Sequence, residues 1–185
     1  VLRALALLLG ASNFAGAIAT TLFVLFAQDV LGLFDGWQFG LLLTGIATGA
    51  IAGSLVAERV AAALTEGRSL LWAIMAFGLG YTAIGLLSSG LAVWAVSVLI
   101  GFAIVLWNVI TVSLRQRIIP DHLLGRVNSV YRFFGWGTMS LGVLISGVLV
   151  TWLEPALDRE WALRTPFLTA GVFSALLLPY AWSRI

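Results

Sequence analysis

Cysteine is absent from this chain of 185 residues, so neither a disulfide framework nor a thiolate metal site can form. Lysine is absent too, and all ten basic residues are arginines. The single histidine, His122, has no second ligand at helical spacing, which argues against a zinc site. Charge is the scarcest property of all. Charged residues make up 10% of the chain, against about 25% in soluble domains. The stretches 4–28, 36–57, 69–114, 133–153 and 165–183 hold no Asp, Glu, Lys or Arg. An apolar run of roughly 18 or more uncharged residues is long enough to cross about 30 Å of hydrocarbon as a helix.

What is present fits that reading. Hydrophobic residues make up 61% of the chain, against about 45–50% in soluble domains. The third uncharged stretch is broken by Ser88-Ser89-Gly90 and divides into two spans. The chain therefore reads as an all-α integral membrane bundle of six spans, over about 4–27, 39–57, 69–87, 91–114, 133–152 and 166–182. These form one transmembrane unit over 1–185, with no room for a soluble domain. Val1-Leu2-Arg3 and Ala15-Gly16-Ala17 imitate a signal peptide, but the apolar run continues to Ala27, past a signal core of 7–15 residues. Because the chain starts at Val1 rather than methionine, an upstream segment is expected.

The loops carry the topology. With residue 1 inside, inner segments hold Arg3, Arg59, Arg68, Arg115, Arg117, Arg126, Arg132 and Arg184, and outer segments only Arg159 and Arg164. Such a bias is the positive-inside pattern and puts both ends in the cytoplasm. The arginines form no continuous basic face, so no nucleic-acid partner is expected. Trp37, Trp152, Trp161, Tyr180 and Trp182 stand near span ends, at the headgroup level. Pro166 suits the first turn of the last helix, and Pro179 should kink or fray its end.

Helix packing is written in small residues. Gly45, Gly49 and Gly53 recur every four residues in the second span, and Thr138, Gly142 and Ser146 form a similar stripe in the fifth. Stripes of this kind let backbones approach closely. They serve either static packing within the bundle or a face that moves against a partner bundle. Between spans four and five, Pro120 ends one helix, and Asp121 is placed to cap the next by accepting from Leu123 or Leu124 N–H. Glu66-Gly67-Arg68 and Asp158-Arg159-Glu160 read as solvated loop charges.

That inner segment carries a resemblance. Pro120, Asp121, Leu124, Gly125, Arg126, Asn128 and Ser129, continuing into Phe133-Phe134-Gly135-Trp136-Gly137, look like the loop between helices 10 and 11 of the major facilitator superfamily, in its branch of enterobactin-type siderophore and macrolide exporters. Leu2-Arg3-Ala4-Leu5 with Asn13, then Gln28-Asp29-Val30-Leu31-Gly32, resembles helix 7 and its outer loop. Gly53, Glu58, Arg59, Gly67 and Arg68 resemble a degenerate copy of the cytoplasmic G-x-x-x-D-R-x-G-R motif, with the acid one position late and Val60 to Glu66 separating its halves.

The resemblance implies helices 7 to 12, the C-terminal half of a transporter whose cavity is lined by helices 7 and 10. Carried onto this chain, it implicates Asn13, Phe14, Thr20, Trp107, Asn108 and Thr111 as cavity residues. Glu58, Arg59, Pro120, Asp121, Gly125, Arg126 and Asn128 become gating residues. The implied activity is proton-driven export of amphiphilic, drug-like or siderophore-like solutes by alternating access in the cell (inner) membrane. The implied partners are the lipid bilayer, a small-molecule substrate and a six-helix N-terminal half or a second copy. No cofactor, no metal and no enzyme activity are expected. No acid, base or histidine lies within the expected spans, so proton coupling is expected in the other half. A non-transporting six-helix subunit and a half-length transporter acting as a dimer stay open beside this reading.

Overall fold

A computed structural model describes residues 2–184; Val1, on which the expectation of an upstream segment rests, lies outside them. The described residues form helices α1 (Leu2–Thr20), α2 (Phe23–Asp29), α3 (Gly36–Ala63), α4 (Glu66–Leu86), α5 (Gly90–Ile118), α6 (Asp121–Leu153) and α7 (Arg159–Arg184). Taking α1 and α2 as one span, six are long and apolar enough to cross a membrane. The chain is an all-α, multi-pass bundle.

Local chemistry sets the boundaries. Gln38 Oε1 accepts from Asp35 N–H at 3.2 Å at the start of α3, one half of a capping box. Ser89 Oγ accepts from Ala92 N–H at the start of α5, so the serine pair makes the expected turn. Asp121 does not cap α6. Pro120 holds the cap position, its carbonyl accepts from Leu123 N–H at 2.9 Å, and Asp121 is the first helical residue. Its carboxylate still stands in the first turn, where the helix dipole favours it.

Two spans depart from expectation. The first is interrupted at Thr21 and Leu22: Thr20 and Thr21 hydroxyls donate to Gly16 O and Ala17 O at 2.8 and 2.5 Å. Back-bonding of this kind competes with the helix ladder and bends it. The last helix starts well before Pro166, because Asp158 Oδ1 accepts from Trp161 N–H at 2.8 Å and caps it. Pro166 and Pro179 therefore both lie inside α7, which continues to Arg184 without fraying at Pro179. At 33 residues, α6 is about 50 Å long, so it projects well beyond a hydrocarbon layer of about 30 Å.

The spans pack most extensively in three pairs: α1 with α6, α3 with α5, and α4 with α7. The α3–α5 seam is the glycine stripe. A Cβ on Gly49 would lie 1.9 Å from Val98 O, and one on Gly101 would lie 2.1 Å from Ile46 O. Gly45 and Gly53 abut Trp94 and Val105 of the same partner. In the α1–α6 seam, Gly142 presses on Phe14 O and Ala17, Ser146 is buried, and Thr138 Oγ1 donates to Gly10 O at 2.8 Å. Both stripes thus serve contacts inside this bundle. A third seam went unread in the sequence: Gly78 and Thr82 of α4 meet Gly171 of α7. Lipid offers helices no hydrophobic drive to associate, so close van der Waals approach and interhelical hydrogen bonds hold such seams.

The pairing has an internal symmetry. Exchanging spans one, two and three for four, five and six turns the α1–α6 pair into α5–α3 and returns α4–α7 to itself. The next most extensive contacts, α4–α5 and α1–α7, exchange with each other in the same way. The two sets of three helices begin at opposite ends of the bundle, so the pairing pattern is inverted between them. Ion pairs and hydrogen bonds close both ends. Tyr131 Oη donates to Leu2 O at 2.6 Å, and Arg117 pairs with Glu66 at the end holding both described termini. At the distal end Arg159 pairs with Asp29 at 2.8 Å and Glu154 at 2.9 Å.

Candidate functional site

A cavity of about 350 Å³ opens between the first spans of the two sets, α1 and α5. From α1 it takes Ser12, Asn13, Gly16 and Thr20, from α5 Ile104, Trp107 and Asn108, and from α4 Phe77 and Tyr81. Leu9, Ala17 and Met139 complete the wall. The helix break at Thr21 follows directly on Thr20, so the cavity touches the irregular part of the first span.

Four of the six residues expected in the cavity are there: Asn13, Thr20, Trp107 and Asn108. Phe14 and Thr111 are not. Phe14 turns to α7 and packs edge-on against Phe173, with ring centroids 5.2 Å apart. Thr111 is buried and donates to Trp107 O of its own helix at 2.8 Å. Which way each side chain faces decides both, since Thr20 makes the same back-bond as Thr111 and yet lines the cavity. The buried face of each helix is legible from neither residue's type, and the tertiary packing assigns these two.

Polar capacity in the cavity is neutral and incompletely used. Asn13 Nδ2 donates across the α1–α6 seam to Gly135 O at 3.1 Å, and Asn108 Nδ2 donates to Ile104 O at 2.8 Å. Neither amide oxygen has a donor among the described residues, and each can accept. Ser12 Oγ and Trp107 Nε1 are buried with no partner among the described residues. A buried polar group without a partner costs about 1–3 kcal/mol, and neither atom is accessible from the cavity, so the polar groups offered to a ligand are the two amides. With apolar walls of Phe77, Trp107 and Met139 beside these groups, the cavity suits a neutral amphiphile and offers no charge to an ion.

The expected gating residues cluster at one end but make no ion-pair network among the described residues. Glu58 and Arg59 are exposed on the last turns of α3, and neither forms an ion pair among the described residues. Asp121, Arg126 and Asn128 are exposed on the projecting part of α6, Pro120 is exposed before it, and Gly125 has open space where a Cβ would stand. The bridge at this end is instead Arg117 with Glu66, reinforced by Arg115 lying 4.3 Å over the Tyr131 ring. Glu66 is therefore no free loop charge.

The residue missed in the sequence is Arg164. The sequence places it among the outer-segment charges, yet its side chain is 4% exposed. Its guanidinium donates to Gly85 O at 2.8 Å, Leu87 O at 3.0 Å and Ser88 Oγ at 2.7 Å, and it pairs with Glu160 at 2.7 Å. These carbonyls belong to the C-terminal end of α4, which lacks onward helical donors. Arg164 thus caps one helix from another. The available signal was Glu160 at i−4, which would have placed both residues on one helix.

A larger groove of about 550 Å³ lies at the distal end, lined by Trp37, Leu41, Leu42, Leu91 and Trp94. One of its two indoles is already engaged, with Trp94 Nε1 donating to Thr44 Oγ1 at 3.0 Å, and its lining is mostly apolar. Compared with known proteins, the chain matches no protein-family model and no curated protein.

Proposed function

We propose that the chain is six helices of a secondary transporter that moves neutral amphiphiles by alternating access, resembling the C-terminal half of a major facilitator superfamily exporter. The observation that carries the reading is the inverted pairing of two three-helix sets, with a cavity between their first spans. Inverted repeats with a midplane site beside a discontinuous helix are the recurring design of such transporters, and 3+3 repeats nested in six-helix halves mark this superfamily. The Asn13 and Asn108 amides, which line the cavity and keep their oxygens free to accept, support a ligand there.

The proposal includes a second six-helix bundle. Only 22% of the apolar window of α3 and of α6 is buried, against 39 to 56% in the other spans. These two helices exchange under the internal symmetry, and their open faces are the natural seat for a partner half. No acid or histidine lines the cavity, so proton-carrying groups are assigned to that partner. The arginine distribution orients both ends of the segment toward the cytoplasm of the cell membrane.

Dye efflux tests this reading. Cells expressing the native polypeptide should accumulate less of a neutral amphiphilic dye, and a protonophore should abolish the difference. Asn108→Leu should lower efflux about tenfold, the worth of one hydrogen bond near the top of its usual range. Equal accumulation with and without the protein, at full membrane expression, would overturn transport.

A further inference from the structure

A second recess lies outside the cavity, between the start of α4 and the end of α7. It is a trough of about 480 Å³ lined by Arg68, Leu71, Trp72, Met75, Leu178 and Trp182. The α4 residues follow the i, i+3, i+4, i+7 spacing of one helical face, and the α7 pair stands one turn apart. Apolar side chains therefore line it from the arginine inward. Arg68 is exposed and in no ion pair among the described residues, since the nearby Glu66 is taken by Arg117.

The trough's mouth sits at a membrane surface. Arg68 opens a span and Trp182 closes one, so both stand at the same end of the bundle. Trp72 and Trp182 are 54% and 79% exposed, which suits indoles at the headgroup level. Arg184, two residues beyond Trp182, adds positive charge to that end. A cation at the headgroup level above an acyl-sized apolar trough matches one class of molecule in charge and in shape.

We infer that the trough holds an anionic phospholipid, its phosphate on Arg68 and one acyl chain along Leu71, Met75 and Leu178 between the two indoles. A soluble anion would use the guanidinium but not the trough. A zwitterionic lipid would use the trough but gain less from the arginine. The site is independent of transport, because none of its residues lines the central cavity.

The test uses the native protein in dioleoylphosphatidylcholine vesicles, titrated with phosphatidylglycerol whose acyl chains carry bromine, a short-range quencher of indoles. Brominated phosphatidylcholine is the reference, and Trp72→Phe and Trp182→Phe assign the quenched signal. A surface arginine should favour the anionic lipid about fivefold. Arg68→Gln should remove most of that preference, Arg68→Lys should keep most of it, and Arg3→Gln, at the same end, should leave it intact. A preference unchanged in Arg68→Gln, or lost equally in Arg3→Gln, would overturn the site. So would full displacement of the lipid by inorganic phosphate at equal concentration. Protection of both indoles from brominated lipids of either kind would mean that protein covers the trough, and would overturn the proposal too.

Discussion

Replacing Arg164 with alanine should be the most damaging charge removal in this chain. The guanidinium holds two backbone carbonyls of the α4 end, the Ser88 hydroxyl and the Glu160 carboxylate at 2.7 to 3.0 Å, with its side chain 4% exposed. Removing it leaves Gly85 O and Leu87 O without these donors in a water-poor region and frees α7 from the α4–α5 turn. Losing one partner of such a buried network costs about 3–5 kcal/mol. Glu160 is half exposed and can recover water, so the lower end, about 3 kcal/mol, is expected. That is roughly two decades in the folding equilibrium. The control is Arg159→Ala, whose pairs with Asp29 and Glu154 are exposed and should contribute less than about 1 kcal/mol. Arg164→Lys should fall between them, since an ammonium cannot reproduce the guanidinium fork. Unfolding of the purified protein in mixed micelles, titrated with a denaturing detergent and followed by tryptophan fluorescence, measures all three. Equal midpoints for Arg164→Ala and Arg159→Ala would refute the cap.

Gly49→Ala and Gly101→Ala should each destabilise by at least about 1–3 kcal/mol, because the added methyl meets a backbone carbonyl that cannot move alone. Gly147→Ala, with open space at the same point, should be neutral or stabilising by about 0.5–1 kcal/mol; thermal unfolding in one detergent that ranks all three together would contradict the seam. Arg126→Ala should slow dye efflux while leaving the unfolding midpoint within about 0.5 kcal/mol of the parent, since the residue is exposed. Unchanged efflux in that variant would remove Arg126 from the gate.

How much of this was legible beforehand follows from the range of each interaction. Spans were readable because the bilayer imposes length and polarity on every segment separately, and 69–114 announced its own turn through Ser88 and Ser89. Glycine stripes were readable as packing faces, but not the faces they meet, because Gly49 looks the same whether it approaches Val98 or a second bundle. Asp121 illustrates a smaller limit: Asp is favoured at a cap, yet Pro120 took that position and moved Asp121 into the first turn.

By itself, then, the sequence determined a six-span, all-α membrane chain with its charge confined to the ends, since solvation in lipid acts on each residue through its own type. Only the tertiary structure decided that Asn13, Trp107 and Asn108 share a cavity while Phe14 and Thr111 do not, and that Arg164 is buried. It also decided that the pairing pattern is inverted between two three-helix sets. The physical reason is that these depend on which face of each helix meets which neighbour. Between helices in lipid, that choice rests on close van der Waals fit and a few hydrogen bonds between residues far apart in the chain, from Trp94–Thr44 at a separation of 50 to Asn13–Gly135 at 122.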